Sequence, residues 1–181
     1  KVIHHSSFNM YHFTDNYLTY AKLYFLSEKP SMEKVDIYGL IEEKIETFKY
    51  IAESKNLEII NHVSPQLNIN TNRMLLSIII HNLLDNATKY TDEGFINFSS
   101  KENEENVEIN ITDTGMGINE EVKKQYADLF HIVMAETYVN EAAGKGLGLQ
   151  MVKELIGIIG AEMWIGSEDE KGTSVHIILK K

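Results

Sequence analysis

Residues 82–90 read Asn-Leu-Leu-Asp-Asn-Ala-Thr-Lys-Tyr, and they are the most informative stretch of this sequence. On a helix, Asn82 and Asn86 lie one above the other on an otherwise apolar element. Lys89 and Tyr90 continue the same face. A buried carboxamide must find hydrogen-bond partners, so the pair either satisfies nearby backbone groups or lines a cleft. In a cleft, its oxygens can hold a hydrated Mg²⁺ and a phosphate without adding negative charge, and Lys89 can balance a phosphate tail.

A second stretch, residues 113–118, reads Asp-Thr-Gly-Met-Gly-Ile directly after a predicted strand. Gly115 and Gly117 let the backbone turn tightly and approach a flat ligand. The carboxylate of Asp113 can accept a hydrogen bond from an exocyclic amine such as that of adenine. The same pattern also fits a plain turn that Asp opens.

A third stretch, residues 144–149, reads Gly-Lys-Gly-Leu-Gly-Leu and runs into a predicted helix. Its glycines free backbone N–H groups, and the helix N-terminus adds partial positive charge, which together favour phosphate binding. The stretch is neither a dinucleotide fingerprint nor a P-loop, because the spacing of both motifs is missing. The alternative is a flexible loop with a capping glycine.

The apolar pattern around these stretches predicts an α+β fold. Three core helices are expected at 37–54, with Asp36 as N-cap, at 72–90 and at 147–159. Alternating or apolar segments predict strands at 57–63, 67–70, 95–99, 107–111, 161–166 and 174–179. These elements predict a two-layer sandwich, in which the helices cover one face of a mixed sheet.

The remaining segments flank this predicted sandwich. Residues 7–26 have the apolar period of a helix, whose wide aromatic stripe packs either on the domain or on another chain. Pro30 ends that pattern, so 1–30 are expected to be a helix and a linker ahead of a domain at 31–181. A short helix is expected from 120 to about 129, and 131–143 show no clean period.

Composition excludes several classes of protein. The formal net charge is −10, which argues against nucleic acid as the main partner. The chain has no Cys, which excludes a disulfide scaffold and a Cys-ligated metal site. No apolar run approaches the ~20 residues that cross a bilayer, so direct membrane insertion is not expected.

The three stretches occur in one order, and together they resemble the N, G1 and G2 boxes of the ATP-binding catalytic domain of two-component sensor histidine kinases. Gly172 and Thr173 resemble the last glycine-containing motif of that family. The resemblance covers about 31–181 and implies the Bergerat-type ATP fold, which type II topoisomerases, mismatch-repair ATPases and heat-shock chaperones share. It also implies that 1–30 hold the second helix of the dimerisation and phosphoacceptor domain.

The resemblance implies ATP and Mg²⁺ as ligands and gives the adenine side its residues. Asp113 resembles the aspartate that pairs with the adenine amine. Gly115 and Gly117 resemble the glycines that let the backbone close on the base, and Ile118 ends that motif. Thr173 resembles the residue that supports adenine through water.

On the phosphate side, Asn86 resembles the Mg²⁺ ligand and Asn82 a neighbouring phosphate or metal-water contact. Lys89 and Tyr90 resemble the phosphate- and ribose-side contacts, and Asn82, Asn86 and Lys89 form the expected catalytic set. Residues 131–143 would be the mobile ATP lid. The glycine loop that would hold the β- and γ-phosphates comprises Gly144, Lys145, Gly146, Leu147, Gly148 and Leu149.

The resemblance also implies partners and a location. A response-regulator receiver domain would take the phosphoryl group, and the parent protein would be a homodimer through its N-terminal helix. The chain would be a cytoplasmic domain of a parent anchored in the inner cell membrane. None of the seven histidines matches the family's phosphoacceptor motif, so the acceptor is expected upstream of Lys1.

Three other readings stay open from the sequence. The ATPase branches of the superfamily carry a Glu in the slot of Asn82, and because Asn cannot take a proton, the sequence favours a kinase over an ATPase. A degenerate nucleotide-binding or docking module without kinase activity is the main alternative. A serine-directed relative of the anti-sigma-factor kinases fits the leading helix less well.

Overall fold

A computed structural model describes residues 31–118, 147–167 and 172–181. Several expectations lie outside the described residues: the helix at 7–26, the short helix from 120, the lid at 131–143, and the loop residues Gly144, Lys145 and Gly146. The described elements in chain order are β1 (Glu33–Asp36), α1 (Ile37–Ser54), β2 (Leu57–His62), β3 (Asn68–Thr71), α2 (Arg73–Tyr90), β4 (Gly94–Glu102), β5 (Asn106–Asp113), α3 (Leu147–Ile158), β6 (Glu162–Ser167) and β7 (Thr173–Lys180).

Side-chain caps start the first two helices where the sequence predicts them. Asp36 Oδ1 accepts from the N–H of Gly39 at 3.0 Å, and Asn72 Oδ1 accepts from the N–H of Leu75 at 2.9 Å. Each bond satisfies one of the N–H groups that the first turn of a helix leaves without a partner. The predicted core helices at 37–54 and 72–90 are confirmed to within a residue.

The three helices form one layer with α2 at its centre. α2 contacts both α1 and α3, and the layer packs on the sheet through β2, β5 and β6. Because α2 is enclosed by neighbours, it buries more of its surface than a surface helix does. Its buried residues are Leu75, Leu76, Ile78, Ile79, Ile80, Leu83, Leu84, Ala87 and Thr88.

The main sheet is mixed and has five strands in the order β2-β4-β5-β7-β6. β2 and β4 run parallel, and the other neighbours are antiparallel. Alternate residues of the central strands are buried on the helical side, as in Val107, Ile109 and Ile111 of β5. The predicted α+β sandwich with helices on one face of a mixed sheet is therefore confirmed.

The remaining two strands lie outside the five-stranded sheet. β3 pairs with β1 in a separate antiparallel pair, in which Val35 lies opposite Ile69. The sequence did not predict β1, because four residues with a single buried apolar side chain carry no readable period.

Two strand bounds are also longer than expected. β4 and β5 extend the segments 95–99 and 107–111 and leave a loop of three residues between them. Asn103 Oδ1, in this loop, accepts from the N–H groups of Glu105 and Asn106.

None of the helices in the described residues combines the length and the apolar composition of a membrane span.

Candidate functional site

The site begins where the end of β5 meets the start of β7. Asp113 is the last residue of β5, and Thr173, the first of β7, lies directly opposite it in the sheet register. Asp113 Oδ1 accepts from the N–H of Gly115 at 2.9 Å and from the N–H of Thr173 at 3.2 Å. Both hydrogen bonds fall on Oδ1, so Oδ2 has no partner among the described residues and can accept from a ligand.

Burial sets the charge behaviour of this carboxylate. Desolvation raises the pKa of Asp113 above its ordinary value, and the two N–H donors oppose the rise only in part. The hydroxyl of Thr91 also favours the ionised form, although its geometry falls short of a full hydrogen bond. A buried carboxylate held in one orientation with a free oxygen is suited to bind a hydrogen-bond donor.

Two glycines leave no room for a side chain beside this carboxylate. A Cβ on Gly115 would lie 2.4 Å from the Tyr90 carbonyl oxygen and 2.9 Å from Asp113 Oδ1. A Cβ on Gly172 would lie 2.0 Å from the Asp113 carbonyl oxygen, and the φ of Gly172 is +87°. The backbone can therefore pass close to Asp113 from two sides.

A backbone hydrogen bond joins the end of α2 to the loop after β5. The N–H of Met116 donates to the carbonyl of Tyr90 at 3.1 Å, which brings together the two stretches at 82–90 and 113–118. Gly117 has φ +71°, so the loop turns there in a conformation that favours glycine, and Ile118 is half-buried.

The two carboxamides of α2 are both half-buried, but they differ in their partners. Asn82 Nδ2 donates to the Ile78 carbonyl at 2.8 Å, one turn back on the same helix. The Asn86 side chain has no hydrogen-bond partner among the described residues. Its carboxamide is therefore free to meet a ligand or an ion, whereas Asn82 retains its oxygen and one N–H for that purpose.

The polar end of α2 is more exposed. Lys89 Nζ forms an ion pair with Asp85, and its side chain is 53% exposed. Tyr90 is also exposed, at 57%. The expected phosphate contact by Lys89 would require this ammonium to be shared with or released from Asp85.

The third stretch reaches the site through the start of α3. A Cβ on Gly148 would lie 3.2 Å from Asn82 Oδ1, so the first turn of α3 adjoins the carboxamide face of α2. Leu149 follows half-buried on this turn, and Leu147 is the first residue of α3. The three separate stretches therefore meet through their described residues.

Two contributors to the site were missed by sequence reasoning. Thr91 is fully buried beside Asp113, and Lys55 donates to the backbone at the end of α2. A threonine directly after a predicted helix is only a weak sequence signal that Thr91 belongs to a site. No sequence signal pointed to Lys55, because its contact depends on the packing of α1 against α2.

The chain matches known proteins over this part of its length. The family model described as "Histidine kinase-, DNA gyrase B-, and HSP90-like ATPase" matches residues 71–181. The chain is 31% identical over 130 residues to the aerobic respiration control sensor protein ArcB homolog of Haemophilus influenzae, covering 71% of this chain and 39% of that protein. The chain spans less than half the length of the first curated relatives that it matches.

Solved structures share the fold. Full-length ShkA in complex with AMPPNP superposes with a TM-score of 0.73 at 28% identity, over 91% of this chain and 34% of ShkA. Histidine kinase ThkA in complex with the response regulator TrrA gives a TM-score of 0.65 at 21% identity, over 83% of this chain and 42% of that one. The second likeness shows the fold alone.

Proposed function

The chain belongs to the family of histidine kinase-, DNA gyrase B- and HSP90-like ATPases, and on this premise we propose that it binds Mg²⁺-ATP for a sensor histidine kinase and passes the γ-phosphoryl group to a histidine outside residues 1–181. The observation that carries the proposal is Asp113, whose Oδ1 is held by two N–H groups while Oδ2 stays free. Relatives that are sensor proteins and the AMPPNP complex of ShkA support it.

Adenine recognition falls to Asp113 in this proposal. Its free oxygen accepts the exocyclic amine of the base, because a fixed and buried carboxylate forms a strong charge-assisted bond to such a donor. Gly115 and Gly117 allow the base to approach the backbone, and Thr173 supports the same carboxylate. A carbonyl in place of the amine, as in guanine, would face this oxygen with a second acceptor.

The phosphate end of the nucleotide is assigned to Asn86, Asn82 and the start of α3. The described residues include no group of three His, Asp or Glu side chains that would hold a metal ion. An Asn oxygen together with phosphate oxygens fits Mg²⁺, which prefers oxygen ligands and keeps several waters. When bound, the ion would neutralise charge on the phosphates, and Asn86 would orient it.

An Asn in the slot where the ATPase branches carry a Glu favours transfer over hydrolysis. Asn82 cannot accept a proton from water, and its Nδ2 is held by the Ile78 carbonyl. Activating water requires a base within hydrogen-bond reach. We assign the chain the role of holding the nucleotide while another group attacks, with positioning and charge neutralisation as the main contributions.

The partners follow from this role. The attacking group is a histidine on the dimerisation domain of the parent protein, and a receiver-domain aspartate accepts the phosphoryl group next. The resemblance of the three motifs to those of two-component kinases supports a partner of that class. Dimerisation through residues 7–26 and a membrane anchor in the parent protein belong to the same proposal.

Nucleotide binding is tested first by thermal unfolding of this chain with AMPPNP and Mg²⁺. Ligand at 100 times its Kd should add about 2.7 kcal/mol, which shifts Tm by roughly 5–10 °C for a domain of this size. Asp113→Asn should lose most of the shift. No shift at millimolar AMPPNP would contradict the proposal.

Phosphoryl transfer is tested in the full-length parent protein. Incubation with γ-labelled ATP should produce an acid-labile phosphate on one histidine, and Asn86→Ala should abolish the label. Steady release of inorganic phosphate without a labelled histidine would favour an ATPase instead.

A further inference from the structure

The last four carbonyls of α2 are all hydrogen-bonded, although a helix cannot satisfy them internally. The Ala87 carbonyl accepts from the N–H of Thr91 at 3.0 Å, and the Tyr90 carbonyl accepts from the N–H of Met116 at 3.1 Å. The carbonyls of Thr88 and Lys89 accept from the ammonium of Lys55, at 2.8 and 3.4 Å. The end of the helix therefore depends on one side chain from another element.

Lys55 also binds the first residue beyond the helix. Its Nζ donates to the Thr91 carbonyl at 3.1 Å, and it lies 3.4 Å from Asp92 Oδ1. The Asp92 side chain is 90% exposed, so this ion pair adds little. The shortest bonds, to Thr88 and Thr91, join residues that are almost fully buried, where an unpaired carbonyl is costly.

The backbone places Lys55 at this point. It is the C-cap residue of α1, and its own N–H donates to the carbonyls of Ala52 and Glu53. Asn56 follows with φ +52° and turns the chain into β2. The ends of α1 and α2 thus meet, and the Lys55 side chain, only 29% exposed, spans the junction.

The residues that Lys55 holds lie directly against the adenine side of the site. The Thr91 side chain faces the Asp113 carboxylate, and a Cβ on Gly115 would lie 2.7 Å from Thr91 Oγ1. Tyr90, between the residues whose carbonyls Lys55 binds, holds the N–H of Met116. A shift of residues 88–91 would therefore move both the hydroxyl beside Asp113 and the anchor of the loop that follows it.

We propose that Lys55 is a positioning residue for adenine recognition, which acts by fixing residues 88–91 against Asp113 and the loop at 115–117. The inference rests on the proposed function, because it assigns Asp113 to adenine. Lys55 touches neither base nor phosphate in this role. Its effect passes through the Thr91 and Tyr90 contacts.

The test compares Lys55→Met with three other variants. Lys55→Met keeps the apolar stem and removes the ammonium, and Lys55→Arg restores donors at the same place. Lys49→Met is the charge control, because Lys49 lies on the same helix with a side chain 57% exposed and pairs with Glu46. Ile69→Val in β3, a buried residue outside the site, is the control for a general loss of stability.

The first readout uses the protein without nucleotide, and the second uses AMPPNP and GMPPNP with Mg²⁺. Lys55→Met should speed hydrogen exchange at the Met116 amide. It should also raise the Kd for AMPPNP about tenfold and lower the ratio of the Kd for GMPPNP to the Kd for AMPPNP. Lys55→Arg should recover part of each effect, and Lys49→Met should behave as wild type.

Three outcomes separate the failures. Unchanged Met116 exchange in Lys55→Met overturns the positioning role. Weaker AMPPNP binding with an unchanged preference over GMPPNP, as in Ile69→Val, also overturns it and leaves a structural role. A wild-type chain that binds no AMPPNP overturns the proposed function itself, and with it the assignment of Lys55 to adenine.

Discussion

The N–H of Thr173 donates to Asp113 Oδ1 across 3.2 Å, although the two residues are 60 positions apart in the chain. The antiparallel register of β5 and β7 places them opposite each other, so the sheet itself sets the direction of the carboxylate. The Gly115 N–H holds the same oxygen from the other side. The orientation of this carboxylate is therefore set by the ends of two paired interior strands, and the described structure has it without a ligand.

Replacing Asp113 with Asn should separate binding from folding. The amide oxygen can still accept from Gly115 and Thr173, but the charge that strengthens the bond to the adenine amine is lost. We expect Asp113→Asn to weaken AMPPNP binding by about 1–3 kcal/mol in calorimetry. The unfolding free energy at neutral pH should not fall, because a buried charge is removed.

Glu104→Gln is the matched control for this variant. It removes one negative charge from the exposed loop between β4 and β5. Its AMPPNP affinity should equal that of wild type. If Asp113→Asn binds AMPPNP as tightly as wild type, Asp113 is not the residue that recognises adenine.

The raised pKa of Asp113 predicts two opposite pH effects. Because burial raises this pKa in the folded protein, the contribution of Asp113 to stability is full below its ordinary pKa and is lost as pH rises through the folded value. Affinity for ADP behaves in the opposite way, since only the ionised carboxylate accepts the adenine amine without a competing proton.

Both effects are measured as wild type minus Asp113→Asn. The difference in unfolding free energy should fall as pH rises over this window, and the difference in ADP affinity should grow. Burial raises the pKa of Glu154 as well, but that group is present in both proteins and cancels. A flat difference in both measurements would mean that Asp113 does not titrate as its burial requires.

Local sequence rules accounted for most of the fold. Asp36 was predicted to cap a helix and does so, because a short side chain before an apolar period has a defined role at an N-terminus. The pairing of β1 with β3 was not readable, since strand partners depend on contacts across the chain. The place of β3 outside the five-stranded sheet was not readable for the same reason.

The candidate site was predictable at positions where the residue type has few structural roles. The carboxylate, the glycines and the carboxamides of the three motifs point to a binding site because each residue type is unusual in an apolar setting. Lys55 and Thr91 were missed, because lysine and threonine are common directly after the end of a helix. Their roles arise from the meeting of two helix ends, which no local pattern records.

Asn86 should be needed for the Mg²⁺-dependent part of nucleotide affinity. Asn86→Ala removes the oxygen assigned to the ion, so the gain in AMPPNP affinity on adding Mg²⁺ should fall about 10–100-fold. Folding should be unharmed, because the carboxamide has no partner among the described residues and Ala favours a helix by roughly 0.5 kcal/mol.

Titrations of AMPPNP with and without Mg²⁺ check this expectation. Asn70→Ala, at an exposed position of β3, provides the control and should keep the full Mg²⁺ effect. If Asn86→Ala keeps it too, Asn86 is not the metal ligand and the assignment passes to another oxygen donor.

Two glycines on either side of β6 should respond oppositely to a methyl group. The Cβ of Gly172→Ala would lie 2.0 Å from the Asp113 carbonyl, and this is backbone that cannot swing away. The φ of +87° adds strain for any L side chain. We expect a loss of about 2 kcal/mol or more in unfolding free energy, together with weaker AMPPNP binding, because the strand register that orients Asp113 is displaced.

Gly157→Ala is the matched comparison within α3. A Cβ there meets nothing within 4 Å, and the residue is exposed. In a helix, Ala should stabilise this position by about 0.5–1 kcal/mol relative to Gly, without a change in AMPPNP affinity. Urea unfolding and calorimetry of both variants check the pair. If Gly172→Ala is as stable as wild type, β7 can move away from Asp113. The close approach of β5 and β7 would then not be what fixes the carboxylate.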